Sequence, residues 1–193
     1  PVLVDGAHAP GMLPLDMLPP TREAYDTILR TLNLTQYSAG YLPYAIVDGW
    51  QQLAKDFAYW RAASVGARTA ADPAERAWFD TDRQRRETLV IRDLGVWSHY
   101  VGDASQPMHV SIHFDGWGPF DNPRGFSTRR GLHAQVEGAF VKTNVKRDAV
   151  KAAVAPYRAC SCSISDRTRS LILASQAEVV PLYALEQKGA FTD

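Results

Sequence analysis

The chain has 193 residues, 46% hydrophobic and 22% charged, with 21 basic against 21 acidic side chains and a formal net charge of zero. That size and composition fit a single globular domain with a substantial core and exclude a disordered chain. Neutrality excludes a protein that holds nucleic acid by electrostatics alone, and no apolar run reaches the ~18–20 residues of a membrane span.

The first twenty residues, "PVLVDGAHAPGMLPLDMLPP", are proline-rich and read as an extended, wrapping segment. Thr21 is a plausible N-cap for "TREAYDTILRTLNL", which places Tyr25, Ile28, Leu29 and Leu32 on one helical face. In "YAIVDGWQQLAKDFAYWRAA", Ile46, Trp50, Leu53, Phe57 and Trp60 recur at steps of four and three and predict a core helix. Residues 66–86 are polar and predict a solvated loop and the start of a helix, with "DTDRQRRE" on its exposed part. A helix is expected from about Glu87 to Ala104, its stripe formed by Val90, Leu94, Trp97 and Val101.

Pro107 ends that helix, and "HFDGWGPFDNPRGFSTRRG" is a long glycine- and proline-rich loop. "LHAQVEGAFVKTNVKRDAVKAAVAPY" reads as a further helix, and "SDRTRSLILASQAEVVPLYALEQKG" as a last one that Pro181 kinks or breaks. Cys160 and Cys162 stand two residues apart, a poor spacing for a mutual disulfide, and are expected as free thiols or as partners of a cysteine elsewhere. Period-two strands, repeats and composition breaks are not evident. The fold expected is all-α, a multi-helix bundle forming one domain over 1–193, with the long loop lying between two helices that carry metal ligands.

Those ligands come from a concentration of histidine. His99 and Asp103 lie four apart on one helical face, opposite the apolar stripe and beside Gly95 and Gly102. His133 and Glu137 repeat the spacing on a second helix, and His109 follows the turn at Pro107. Helical bundles build metal sites from such inward-facing histidine–carboxylate pairs. Two histidines and a glutamate leave an open position on zinc, as catalytic sites do. The spacing equally admits histidines satisfied by hydrogen bonds in a core, and that reading applies to His113 and His8, with His113 at an exposed loop entrance. Trp117 and Phe120 suit either a pocket mouth or a loop packed on the core.

"HYVGDASQPMH" resembles the signature of the zinc-dependent phospholipase C and single-strand-specific zinc nuclease superfamily, through His99, Gly102, Asp103, Gln106, Pro107 and His109. "GLHAQVEGAFV" is similar to that superfamily's second ligand helix, with His133 and Glu137 at the ligand positions. Glutamate rather than aspartate at 137 is closer to the phospholipase form, while the loop between the blocks is closer to nuclease length.

The resemblance implies a mostly helical fold and up to three Zn2+ that hydrolyse phosphodiesters. It implies that His109, His133 and Glu137 hold one zinc, that His99 and Asp103 contribute to a neighbouring pair, and that Asp103 has the catalytic place, bridging those two ions. Further ligands in the superfamily come from upstream. With only Asp5 and His8 there, the expectation is a chain that lacks an N-terminal segment and keeps one complete zinc site. The function expected is a zinc-dependent phosphodiester hydrolase of phospholipase C type, in which metal-activated water attacks phosphorus. The alternatives are a single-strand nuclease or nucleotidase, with a nucleic-acid phosphodiester in place of phospholipid, and an inactive helical binding module with a vestigial site. The resemblance also implies a secreted or periplasmic protein.

Overall fold

A computed structural model describes residues 18–191; Asp5, His8 and the proline-rich opening lie outside the described residues. Among the described residues the chain is helical, with no strand, as the sequence predicts. It divides into two compact units, one comprising Leu42–Asp103 and the other the residues on either side, up to Tyr41 and from Ala104.

The Leu42–Asp103 unit is a pair of long helices, α3 (Leu42–Thr69) and α4 (Pro73–Ala104), joined by three residues. Three contacts set them antiparallel. The Trp97 indole Nε1 donates to the Ile46 carbonyl at 2.9 Å, and the Trp60 Nε1 donates to Glu87 Oε1 at 3.1 Å. Nearest the turn, Gly66 faces the Phe79 ring. Ile46, Leu53 and Ala63 are buried along α3, together with Asp56, whose two carboxylate oxygens both accept from Gln52 Nε2 at 3.0 Å.

The predicted stripe is only partly realised, because Trp50, Phe57 and Leu94 remain substantially exposed while Val90 is buried. The polar stretch 66–86 also differs from expectation. Only residues 70–72 are non-helical, and "DTDRQRRE" belongs to α4. Pro73 suits a first helical position, where no donor is required, and Asp72 Oδ1 accepts from the Ala74 N–H. The charged run is held helical by pairs at i,i+3 and i,i+4: Arg83 with Asp80 at 2.9 Å and Glu87 at 2.5 Å, and Arg86 with Asp82 at 3.2 Å.

The other unit begins with α1 (Arg22–Thr31), capped by Thr21, whose hydroxyl accepts from the Ala24 N–H; Tyr25 and Leu29 are its buried face. A single helical turn, α2 (Gln36–Ala39), follows. After Ala104 come a 3-10 turn at Pro107–Val110 and the irregular loop 111–131. Next is a continuous helical stretch over 132–144, built from α5 (Leu132–Ala134), a π-helical segment Gln135–Phe140 and α6 (Val141–Asn144). The sequence predicted one helix through Tyr157. It breaks at Val145 and Lys146, and α7 (Arg147–Ala153) is a separate short helix.

The last predicted helix is two, α8 (Ile164–Ala177) and α9 (Val179–Gln187). The break falls at Glu178, before Pro181, because the proline ring would meet the carbonyl four residues earlier; in the first turn of α9 it displaces no donor. Cys160 and Cys162, expected as free thiols, are joined in a disulfide. The bend ahead of α8 brings their Cα atoms to 5.2 Å, within the span a disulfide bridges despite the short spacing. The core of this unit gathers Met108, Trp117, Phe126, Leu132, Val179 and Tyr183.

Two glycines in the helical pair should respond oppositely to alanine. At Gly66 a Cβ would stand 2.5 Å from the base of the Phe79 ring, whereas at Gly95 nothing lies within 4 Å. Gly66→Ala is expected to lower stability by about 1–2 kcal/mol through overpacking, and Gly95→Ala to raise it by about 0.5–1 kcal/mol. Urea unfolding monitored by circular dichroism checks both signs.

Candidate metal centre

Each member of the candidate site sits beside a residue of one apolar core. Met108 and Leu132 are fully buried in that core, and Val136 packs against it. Their sequence neighbours are His109, His133 and Glu137. Burial of the first three therefore fixes where the second three emerge.

The outcome is a tight triangle. His109 Nε2 and His133 Nε2 stand 2.9 Å apart, and each is 3.0 Å from Glu137 Oε1. These atoms form the group among the described residues that can hold a metal ion. Ligand atoms bound to one zinc at 2.0–2.1 Å lie about 3.3 Å apart in tetrahedral and about 2.9 Å apart in octahedral geometry. The observed separations match this range, so the residues fit a first-row divalent metal with its remaining positions open. Glu137 lies in the π-helical segment, a departure from α-geometry that recurs at functional sites.

The groups behind the triangle orientate its members. His133 Nδ1 lies 2.8 Å from the Phe114 carbonyl, which can only accept, so the ring donates from Nδ1 and turns the Nε2 lone pair toward its neighbours. Asp115 Oδ1 accepts from the backbone N–H of Gly131 at 2.8 Å and of His133 at 3.2 Å, tying the loop to the start of α5. The Gly131 N–H is the main reason that the Asp115 carboxyl is held below its usual range. Gln106 is orientated in turn. Its Oε1 accepts from the Met108 N–H at 2.7 Å, so its Nε2 is the atom that donates to Glu137 Oε1 at 2.9 Å. Partial burial works to raise the Glu137 pKa, but the Gln106 hydrogen bond and the two histidines outweigh it and hold the carboxyl low. Glu137 is thus a carboxylate across the neutral range.

The loop that supplies Phe114 and Asp115 is itself anchored in the core. The His113 imidazole, expected at an exposed loop entrance, is buried and stacked on Trp117 with ring centroids 3.6 Å apart. Its Nδ1 is 2.7 Å from the Trp117 carbonyl, and its own carbonyl accepts from the Tyr183 hydroxyl at 2.7 Å. Trp117 belongs to the core, and Phe120 meets the His113 ring edge-on. Gly116 is obligatory there. Its φ is +85°, and a Cβ would lie 2.7 Å from the Arg129 carbonyl oxygen.

His99 and Asp103 behave differently. They lie on α4 in the other unit and pair with each other, His99 Nε2 to Asp103 Oδ2 at 3.4 Å, with the His99 side chain 74% exposed. Neither belongs to a group of three potential ligands among the described residues. Sequence reasoning had no hold on the Phe114 carbonyl or on Asp115, which lies 16 residues before the Gly131 N–H that it accepts, so that no local spacing links the two.

Two measurements bear on this geometry. Titration with zinc should show one high-affinity ion per chain, lost in His133→Ala, with affinity falling as protons compete for the imidazoles at lower pH. Asp115→Ala should lower stability by about 1 kcal/mol and weaken metal binding, since the carboxylate positions the His133 backbone. The folded-state pKa of Asp115 is depressed, so its contribution is present above the unfolded value and disappears as pH falls through the folded one. Stability of Asp115→Ala should therefore converge on that of the parent protein in acid. Comparison of the chain with protein-family models, with curated proteins and with solved structures finds no match.

Proposed function

We propose that the protein is a zinc-dependent phosphodiester hydrolase of phospholipase C type. The observation that carries this reading is the convergence of His109, His133 and Glu137 within about 3 Å of one another, with the His133 tautomer set by a carbonyl. Zinc, when bound at a three-ligand site with open positions, acts as a Lewis acid on a phosphoryl oxygen and makes bound water acidic enough to attack near neutral pH.

The chain supplies the rest. His109 and His133 would hold a divalent ion through Nε2 and Glu137 through one carboxylate oxygen, a donor set with a single negative charge that would leave the loaded site net positive for an anionic phosphodiester. Gln106 restrains the Glu137 carboxylate, and Phe114 and Asp115 restrain His133. Resemblance of "HYVGDASQPMH" to the superfamily signature agrees with this chemistry, and glutamate at position 137 favours the phospholipase form. In that superfamily's scheme Asp103 bridges a second and third ion. Here it pairs with His99, and we assign the activity of this chain to a single-ion site.

One feature favours the nuclease alternative. The Phe114 ring, on the residue whose carbonyl orientates His133, is 54% exposed and offers a face on which a base could stack. The inactive-module alternative draws on the exposed, mutually paired His99 and Asp103.

Assays of the zinc-loaded protein separate the three readings. Hydrolysis of a soluble choline phosphodiester in preference to a single-stranded oligonucleotide supports the phospholipase reading, the reverse preference supports the nuclease, and inertness toward both supports the module. For the active forms, His133→Ala should fall to background. Gln106→Ala should lose about 10- to 100-fold in metal affinity or rate, as expected when a ligand loses its restraining partner. Full activity in Gln106→Ala would show that its hydrogen bond to Glu137 does nothing for the site.

A further inference from the structure

The helical run that carries His133 and Glu137 continues into the most basic stretch of the chain. Residues 141–158 hold Lys142, Lys146, Arg147, Lys151 and Arg158 against the single acid Asp148. That is a formal excess of four positive charges in a chain whose formal net charge is zero. Every residue from 141 to 163 is exposed, and neither α6 nor α7 buries a side chain.

The same stretch is rich in exposed apolar side chains, of which Tyr157 has the Arg167 guanidinium over its ring at 5.8 Å. Val141, Val145 and Val150 are 40–51% exposed, Val154 is 70% and Tyr157 80%. On α7, at 100° per residue, Ala149, Ala153 and Val150 fall on one arc, while Arg147 and Lys151 share the adjoining one. A helix in a globular protein turns its apolar arc inward, and this one does not. Among the described residues Lys142, Arg147 and Lys151 make no ion pair.

An exposed apolar arc bordered by unpaired basic residues is complementary to one kind of surface. We propose that the 141–158 segment docks the protein on an anionic lipid surface, its valines and Tyr157 entering the headgroup boundary while the lysines and arginines meet lipid phosphates and carboxylates. Because only Val145 and Lys146 separate the run carrying Glu137 from α7, docking holds the metal-bearing helix at the interface. The inference extends the phospholipid form of the proposed function; binding itself does not require hydrolysis.

Co-flotation of zinc-loaded protein with vesicles tests it. The protein should float with vesicles of phosphatidylcholine containing phosphatidylserine, bind pure phosphatidylcholine vesicles far less, and release at high salt. Arg147→Gln combined with Lys151→Gln should weaken binding about 25-fold, at about fivefold for each basic residue near an anionic surface. Zinc content, helicity and hydrolysis of a soluble phosphodiester should stay unchanged in that variant, since α7 buries nothing. Equal binding to both vesicle types, or no loss in the double variant, overturns the proposal. So does tighter binding to a single-stranded oligonucleotide that the double variant loses, which would assign the segment to nucleic acid. Vesicle binding as expected with no hydrolysis of the soluble substrate leaves the docking surface standing and removes the hydrolase reading.

Discussion

Three consecutive residues bind the candidate site to the rest of the protein. The His113 carbonyl accepts the buried Tyr183 hydroxyl, the Phe114 carbonyl accepts His133 Nδ1–H, and the Asp115 carboxylate accepts two N–H groups at the start of α5. Core, ligand and helix terminus thus hang from three consecutive residues, with little slack between them. Tyr183 sits within the same apolar cluster as Met108 and Leu132, which place His109 and His133. Burial and hydrogen bonding therefore specify the same position of the triangle by independent routes. A burial error of one residue at Met108 or Leu132 would break both.

The triangle has an electrostatic side. Glu137 is ionised, and the Nε2 atoms of His109 and His133 stand about 3 Å from its Oε1 and from each other. A divalent ion at the centre would contact all three atoms at once. The Gln106 amide donates to the same Glu137 oxygen at 2.9 Å. Cation binding and proton binding are thus alternatives at one place, which couples metal affinity to pH.

Much of this was legible in sequence. Thr21 as a cap, the helix ending before Pro107, the 111–131 loop and the pairing of His133 with Glu137 all follow from local chemistry that a sequence states directly. What was not legible has physical reasons. The run "DTDRQRRE" looks like a solvated loop by composition, yet spacing of its opposite charges at three and four residues stabilises helix instead. A backbone carbonyl such as that of Phe114 has no residue type to betray it. His113 was misplaced because histidine is equally at home in solvent and stacked against an indole, and only the fold of the loop decides between them.

The fate of the "HYVGDASQPMH" block shows why a motif alone does not fix a site. Its first two ligand-type residues belong to one compact unit and its last to the other, the division falling between Asp103 and Ala104. On α4, the exposed His99 and the partly buried Asp103 form an i,i+4 pair. His109, beyond Gln106 and Pro107, meets a different requirement. The 3-10 turn buries Met108 and Val110 on either side of it and sends its imidazole to the partners on α5 and the π-helical segment. Alternation of buried and half-exposed residues through that turn is what brings His109 to His133 and Glu137. Two ligands seldom hold zinc firmly and three do, and among the described residues the group of three that could hold a metal includes the block's last histidine.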